Sequence, residues 1–246
     1  MLRKRIIPCL QLNDQSLVKT VKFKNPAYIG DPVNTVRIFN ELEVDELCFL
    51  DIRASVEGRE PDLQILQEIS NECFMPLSYG GGIKSVEMAA KILSIGFEKI
   101  IINSCITEEG RLIKRLSERF GSQSVVASID VRKNMFGKYI TYSYSGAKKV
   151  KRDLVELAKE LIYQGAGEIL ITSIDKEGTW GGYDIDLIKI ISDEVSVPVI
   201  ANGGGANQSD IDKVFNDTKA QAAAVGSSVV YQKQGMGVLI NFPFKK

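Results

Sequence analysis

Histidine is absent from all 246 residues. That excludes Ser-His-Asp and Cys-His catalysis and any zinc site that depends on imidazole. Acid–base work must then fall to Asp, Glu, Lys, Tyr or Cys. Surplus charge is also lacking: 31 basic and 31 acidic side chains cancel. With no basic excess to displace counterions, the composition argues against a nucleic-acid partner. No run approaches the ~18 continuous apolar residues of a membrane span, and the apolar start MLRKRIIPCL breaks off at Gln11, too early for a signal peptide. These features predict a cytoplasmic protein. Cysteine is sparse. Cys9, Cys48, Cys73 and Cys105 form no C-x-x-C pair, and three of them sit in apolar runs, where a reduced buried thiol is expected.

What is present is a regular alternation. The short apolar runs RIIPCL, ELCFLDI, MPLSYGGG, KIIINS, VVASID, EILITSID, VPVIANGGG and AAAVGS read as strands. Their near-continuous apolarity marks parallel strands covered on both faces. Helix-like segments lie between them at Asp31–Glu43, Pro61–Asn71, Ser85–Ser94, Gly110–Phe120, Asp153–Gln164, Asp184–Asp193 and Asn207–Asp217. Eight such units in about 250 residues predict an α/β chain folded as one (β/α)₈ TIM barrel over residues 1–246, with a doubly wound open sheet as the rival.

The chain also repeats itself. ELCFLDI recurs as EILITSID 122 positions later, LSYGGGI as VIANGGGA 123 later and INSCI as VGSSV 123 later; RIIPCLQ matches VVASID 119 later. Such a period predicts two similar half-barrels. Two stretches break the pattern. Alternating residues around Val131–Tyr144 predict a β-hairpin inserted after strand five, and GMGVLINFPFKK makes a poor final helix, so the eighth helix is expected to be truncated.

In such barrels the site lies at the carboxyl ends of the strands. Glycine-rich turns follow strand three (Gly80, Gly81, Gly82) and strand seven (Gly203, Gly204, Gly205). Small polar pairs, Asn103-Ser104 and Gly226-Ser227, follow strands four and eight. Each half therefore offers one cradle of backbone N–H groups for a phosphate. The same glycines would also be expected if they served only to make tight turns. Asp130 ends strand five and is a candidate acid or base; its repeat equivalent is Gln11, an amide that cannot transfer a proton at neutral pH. At the opposite strand ends stand Arg5, Glu46, Lys99 and Glu168. Counting by twos along each strand puts them on the same face as the mouth residues, toward the barrel axis, where they could pair into a ring.

On KRIIPCL, FLDI-ASVEGR, GGGI, INS, FGSQSVVASID, TYSG and above all GAGEILITSIDKEGT, the chain resembles the cyclase subunit of imidazole glycerol phosphate synthase over nearly its whole length. The resemblance implies a barrel with a glutaminase subunit docked on its floor. Ammonia would cross the axis and attack a doubly phosphorylated ribulose-type substrate at the mouth, with no metal or organic cofactor. Carried over residue by residue, Arg5, Glu46, Lys99 and Glu168 match an ammonia gate and Asp130 one of two catalytic aspartates. Gly82, Asn103, Ser104, Gly203, Gly204, Gly226 and Ser227 match phosphate contacts. Lys19, Thr172 and Glu177 fall on other substrate-side positions.

This chain departs from that pattern in several places. The second catalytic aspartate is Gln11, Glu177 stands for an aspartate, Asp14-Gln15 and Lys19-Thr20 replace glycine-bearing pairs, and Arg53 replaces a small polar residue. These losses cluster at the mouth. They resemble paralogues associated with surface-polysaccharide genes, which implies an alternative role: passing ammonia to a sugar amidation enzyme without cyclisation. A barrel with an unrelated phosphosugar activity is the third expectation.

Overall fold

The computed structural model describes residues 4–103 and 111–245. The chain begins with β1 (Arg5–Asn13), followed by a hairpin of β2 (Ser16–Val21) and β3 (Lys24–Gly30), then α1 (Pro32–Glu41), β4 (Leu47–Asp51), the short α2 (Ala54–Glu57) and α3 (Leu63–Glu72). It continues through β5 (Leu77–Gly80), α4 (Val86–Ile95), β6 (Lys99–Ile102), α5 (Leu112–Phe120), β7 (Val125–Lys133), β8 (Tyr139–Ser143) and β9 (Lys148–Lys149). The last elements are α6 (Leu154–Tyr163), β10 (Glu168–Ser173), α7 (Ile185–Glu194), β11 (Val199–Asn202), α8 (Gln208–Asp217), β12 (Ala222–Val225) and α9 (Ser227–Val230).

Eight of these strands pair in parallel in the order β1, β4, β5, β6, β7, β10, β11, β12, and β12 pairs back onto β1, so the barrel closes. The fold is a (β/α)₈ TIM barrel. Helix starts follow local chemistry. Asp31, Asp62, Ser85, Asp153, Asp184 and Asn207 each accept a backbone N–H at the head of the helix that follows, satisfying donors that would otherwise be orphaned.

Two apolar layers explain the unbroken hydrophobic runs. Ile7, Cys9, Cys48, Ile101, Val126, Leu170, Ile200 and Ala224 fill the barrel interior. The alternate residues Ile6, Leu10, Phe49, Tyr79, Ile100, Ala127, Ile169 and Val225 pack outward beneath the helices. A strand buried on both faces has no polar side to show.

Three irregularities position the mouth. β7 runs past the barrel rim and pairs antiparallel with β8, register Asp130↔Tyr142, and β8 pairs with β9. At the chain's end α9 has four residues, and Tyr231 makes an isolated bridge to Val238. The third was missed in the sequence: the segment after β1 is a second hairpin. β2 pairs antiparallel with β1 (Gln11↔Val18) and with β3 (Val18↔Tyr28). Its tip, Lys22-Phe23, has positive φ at both residues, 54° and 62°. That is the backbone of a two-residue hairpin turn, without the Asn-Gly signal that usually announces one. Among the described residues, no helix is long and apolar enough to cross a membrane.

Phe49 is fully buried in the outer layer. Phe49→Ala is expected to cost about 3–5 kcal/mol, the range for emptying a packed aromatic site; urea unfolding at constant m-value checks it.

Candidate functional site

At the amino ends of the strands, four charges close into one ring. Arg5 donates to Glu46 at 2.7 Å and to Glu168 at 2.9 Å, and Lys99 donates to both carboxylates at 3.3 Å. Each cation thus touches both anions, which keeps a partly buried set of four charges locally neutral. Burial opposes the charge on Arg5, but Glu168 and Glu46 outweigh it and hold the guanidinium above its ordinary value.

Above the ring lies a cavity of about 10 Å³ lined by Ile7, Glu46, Cys48, Ser78, Ile101, Leu170 and Ala224. That is room for roughly one water-sized molecule. Cys48 lines it, and Cys9, which lines the mouth cleft, lies beside Cys48, Sγ to Sγ 3.8 Å. Both thiols are free, and hydrogen bonding to Cys9 together with burial raises that of Cys48.

The carboxyl ends of the strands open into a cleft of about 310 Å³. Gln11, Lys19, Gly82, Asn103, Asp130, Thr172, Glu177, Gly203, Gly204, Gly226 and Ser227 all line it. Ser104 lies outside the described residues. Asn103 Nδ2 donates to Asp130 Oδ2 at 3.1 Å, and Asn202 Nδ2 donates to Thr172 Oγ1 at 3.1 Å. Burial pushes the Asp130 carboxyl up to about 7, against the pull of hydrogen bonds from Thr172 and Asn103. Asp130 is therefore placed to exchange a proton near neutral pH.

The two glycine turns have a steric reason of their own. Gly81 and Gly204, 123 positions apart, sit at φ +131° and +103°. A Cβ on Gly81 would lie 2.6 Å from the Asp51 carbonyl oxygen, and one on Gly204 would lie 2.3 Å from that of Gly182. Only glycine fits either place. One N–H of the first turn is already committed, since Gly82 N donates to Ser55 Oγ at 3.2 Å.

The β2–β3 hairpin folds over one side of the mouth and is tied down there. Thr20 N and Oγ1 donate to Gln11 Oε1 at 2.9 and 3.1 Å, and Gln11 Nε2 donates to Glu177 Oε1 at 3.2 Å. Lys19 Nζ pairs with the same Glu177 oxygen. At the hairpin tip, Lys22 N donates to the Glu177 carbonyl at 2.9 Å and Phe23 N to Glu177 Oε2 at 3.1 Å. These bonds offset the cost of holding non-glycine residues at positive φ. Gln11, Lys19, Thr20 and Glu177 are all buried.

Asp51 was overlooked as a site residue. It is buried at the end of β4 and lines the cleft, held by both guanidinium nitrogens of Arg59 at 2.8 and 3.0 Å and by the N–H groups of Arg53 and Ala54. An acid closing an apolar strand was the available signal. Among the described residues, no group of three or more Cys, Asp or Glu is placed to hold a metal.

A family model described as "Histidine biosynthesis protein" matches residues 5–235. The chain belongs to that family. Among its relatives is a Pseudomonas aeruginosa protein, provisionally named imidazole glycerol phosphate synthase subunit hisF2, which is 48% identical over 243 residues, 99% of this chain and 97% of the relative. The subunit HisF of Chlorobaculum tepidum is 44% identical over 227 residues, 92% and 90% of the two chains. That of Streptococcus mutans is 40% identical over 231 residues, 94% and 92%.

Because burial raises Asp130, its protonated form favours the folded state. This contribution is complete below the ordinary value of 3.8 and is lost as pH rises through about 7. Asp130→Asn removes the titration. Its stability relative to the parent is expected to climb between about pH 4 and pH 7 and then level off, as urea unfolding across pH 4–8 would show.

Proposed function

We propose that this chain is the ammonia-accepting, cyclase-type subunit of a glutamine-amidotransferase synthase, similar in reaction to imidazole glycerol phosphate synthase. In this reading a glutaminase subunit docks on the floor and its ammonia enters through the ring of Arg5, Glu46, Lys99 and Glu168. Ammonia then meets a bis-phosphorylated ribulosyl aminoimidazole carboxamide substrate at the mouth, giving imidazole glycerol phosphate and an aminoimidazole carboxamide ribotide. Asp130 serves as an acid–base residue. Gly82, Asn103, Ser104, Gly203, Gly204, Gly226 and Ser227 contact the two phosphates, and Lys19, Thr172 and Glu177 contact the middle of the substrate.

The observation that carries the reading is the closed four-charge ring. It stands on the inward face that, two residues at a time, leads past a water-sized cavity to Asp130 and Gln11. In this reading a neutral nucleophile about the size of water takes that route and a phosphosugar does not.

One observation favours a second reading, in which the barrel conducts ammonia to a sugar amidation enzyme and does not cyclise. Position 11 carries an amide whose oxygen and nitrogen are both engaged, with Thr20 and Glu177. A missing acid or base typically costs 10²–10⁴-fold in rate.

Steady-state rates with glutamine plus a glutaminase subunit, set beside rates with ammonium salt alone, test the proposal. Glu168→Gln opens the ring. It is expected to lower the glutamine-driven rate about tenfold, equivalent to roughly 1.4 kcal/mol, and to leave the ammonium-driven rate close to the parent's. Glutaminase binding without turnover from ammonium selects the conduit reading. Absence of both binding and turnover overturns the proposal.

A further inference from the structure

Gln11 is not the end of the acid–base question at the mouth, because a carboxylate lies directly against it. Glu177 extends from the turn after β10 until its Oε1 lies 3.2 Å from Gln11 Nε2. It is 4% exposed and lines the same cleft as Asp130. We propose that Glu177 is the second acid–base carboxylate of this mouth, acting as proton acceptor opposite Asp130 as proton donor, and that Gln11 is the residue that positions it. The inference rests on the ammonia-accepting reading and deepens it.

The two carboxyls have opposite surroundings. Glu177 is met by the Lys19 ammonium, the Gln11 amide N–H and the Phe23 backbone N–H. All three are donors aimed at the carboxyl oxygens. Among the described residues, Asp130 meets the neutral donors Asn103 and Thr172, and burial pushes it up to about 7. Two carboxyls whose environments diverge in this way divide naturally into base and acid.

Gln11 also acquires a physical reason. An aspartate at position 11 would set a second anion against Glu177, and like charges at that range cannot both ionise. The amide gives Glu177 a donor and holds the hairpin through Thr20 with its oxygen. In this respect the change at position 11 and the longer side chain at position 177 belong together.

The step balances within the proposal. Ammonia adds through its lone pair to the substrate's carbonyl carbon. In a first round Glu177 removes one proton from the resulting nitrogen and Asp130 delivers one to the carbonyl-derived oxygen, giving a neutral carbinolamine. Each round leaves Glu177 protonated and Asp130 ionised, and proton exchange with solvent resets both. A second round takes another proton from nitrogen and delivers another to that oxygen, which leaves as water as the C=N bond forms.

The test uses the full chain, ammonium salt and the bis-phosphorylated ribulosyl substrate. Glu177→Gln is expected to lower kcat by about 10²–10⁴-fold while KM shifts by no more than about threefold, the pattern of an interaction made chiefly in the transition state. Adding Gln11→Asp to Glu177→Gln returns a carboxylate to the neighbouring atom position and is expected to restore at least about tenfold of the lost rate. Gln11→Asp alone is expected to give no such gain. Cooperative thermal unfolding of each variant separates lost chemistry from lost fold, and Glu177→Asp, which keeps the charge beside Lys19, is expected to retain more rate than Glu177→Gln. If the parent turns over and Glu177→Gln does so equally fast, or if the folded double variant shows no recovery, the assignment to Glu177 falls and the broader reading stands. A parent chain without ammonium-driven turnover overturns both this assignment and the cyclase reading.

Discussion

The barrel depends on a constraint of period two. Once eight parallel strands close, every second side chain must point to the axis, so a strand that opens with an inward charge ends with an inward functional group. Arg5 leads through Ile7 and Cys9 to Gln11, Lys99 through Ile101 to Asn103, and Glu168 through Leu170 to Thr172. The charges at the floor have little water to turn to, and they solve this by turning to one another. Floor, cavity and mouth are therefore a single arrangement, and a shift of register in one strand would disturb all three.

The mouth is built on a different principle. Its polar groups are tied together across elements distant in sequence, with the β2–β3 hairpin, the end of β1 and the turn after β10 meeting at the Glu177 side chain and backbone. Because that junction is buried and rich in hydrogen bonds, each member depends on the others. Around Asp130, among the described residues, the donors are Asn103 and Thr172, and burial outweighs them and raises the carboxyl. The cleft is therefore chemically lopsided, a useful property where one group must give a proton and another take one.

Much of this was legible from residues alone. The barrel strands are apolar on both faces and declare themselves, and the helix starts fall on capping residues such as Asp31, Ser85, Asp153 and Asn207. The charged ring follows from counting along strands. The β2–β3 hairpin did not declare itself, because its turn uses Lys22 and Phe23 in a backbone conformation that glycine or asparagine usually signals. The bonds to Glu177, 155 positions from Lys22, help hold that turn. Asp51 was hidden for a similar reason: its partner Arg59 is brought back to it by the fold around α2. Spacing reveals what repeats along a strand, whereas contacts made by irregular turns leave no period to read.

The ring also joins the two halves of the molecule. Arg5, Glu46 and Lys99 belong to the first half, and Glu168 alone to the second. A chain severed between α5 and β7 would leave the first fragment with two cations and one anion at its base and the second with a solitary anion. Neither fragment is electrically self-sufficient, so the halves have a reason to reunite, and in the correct order, that owes nothing to the oily surfaces between them.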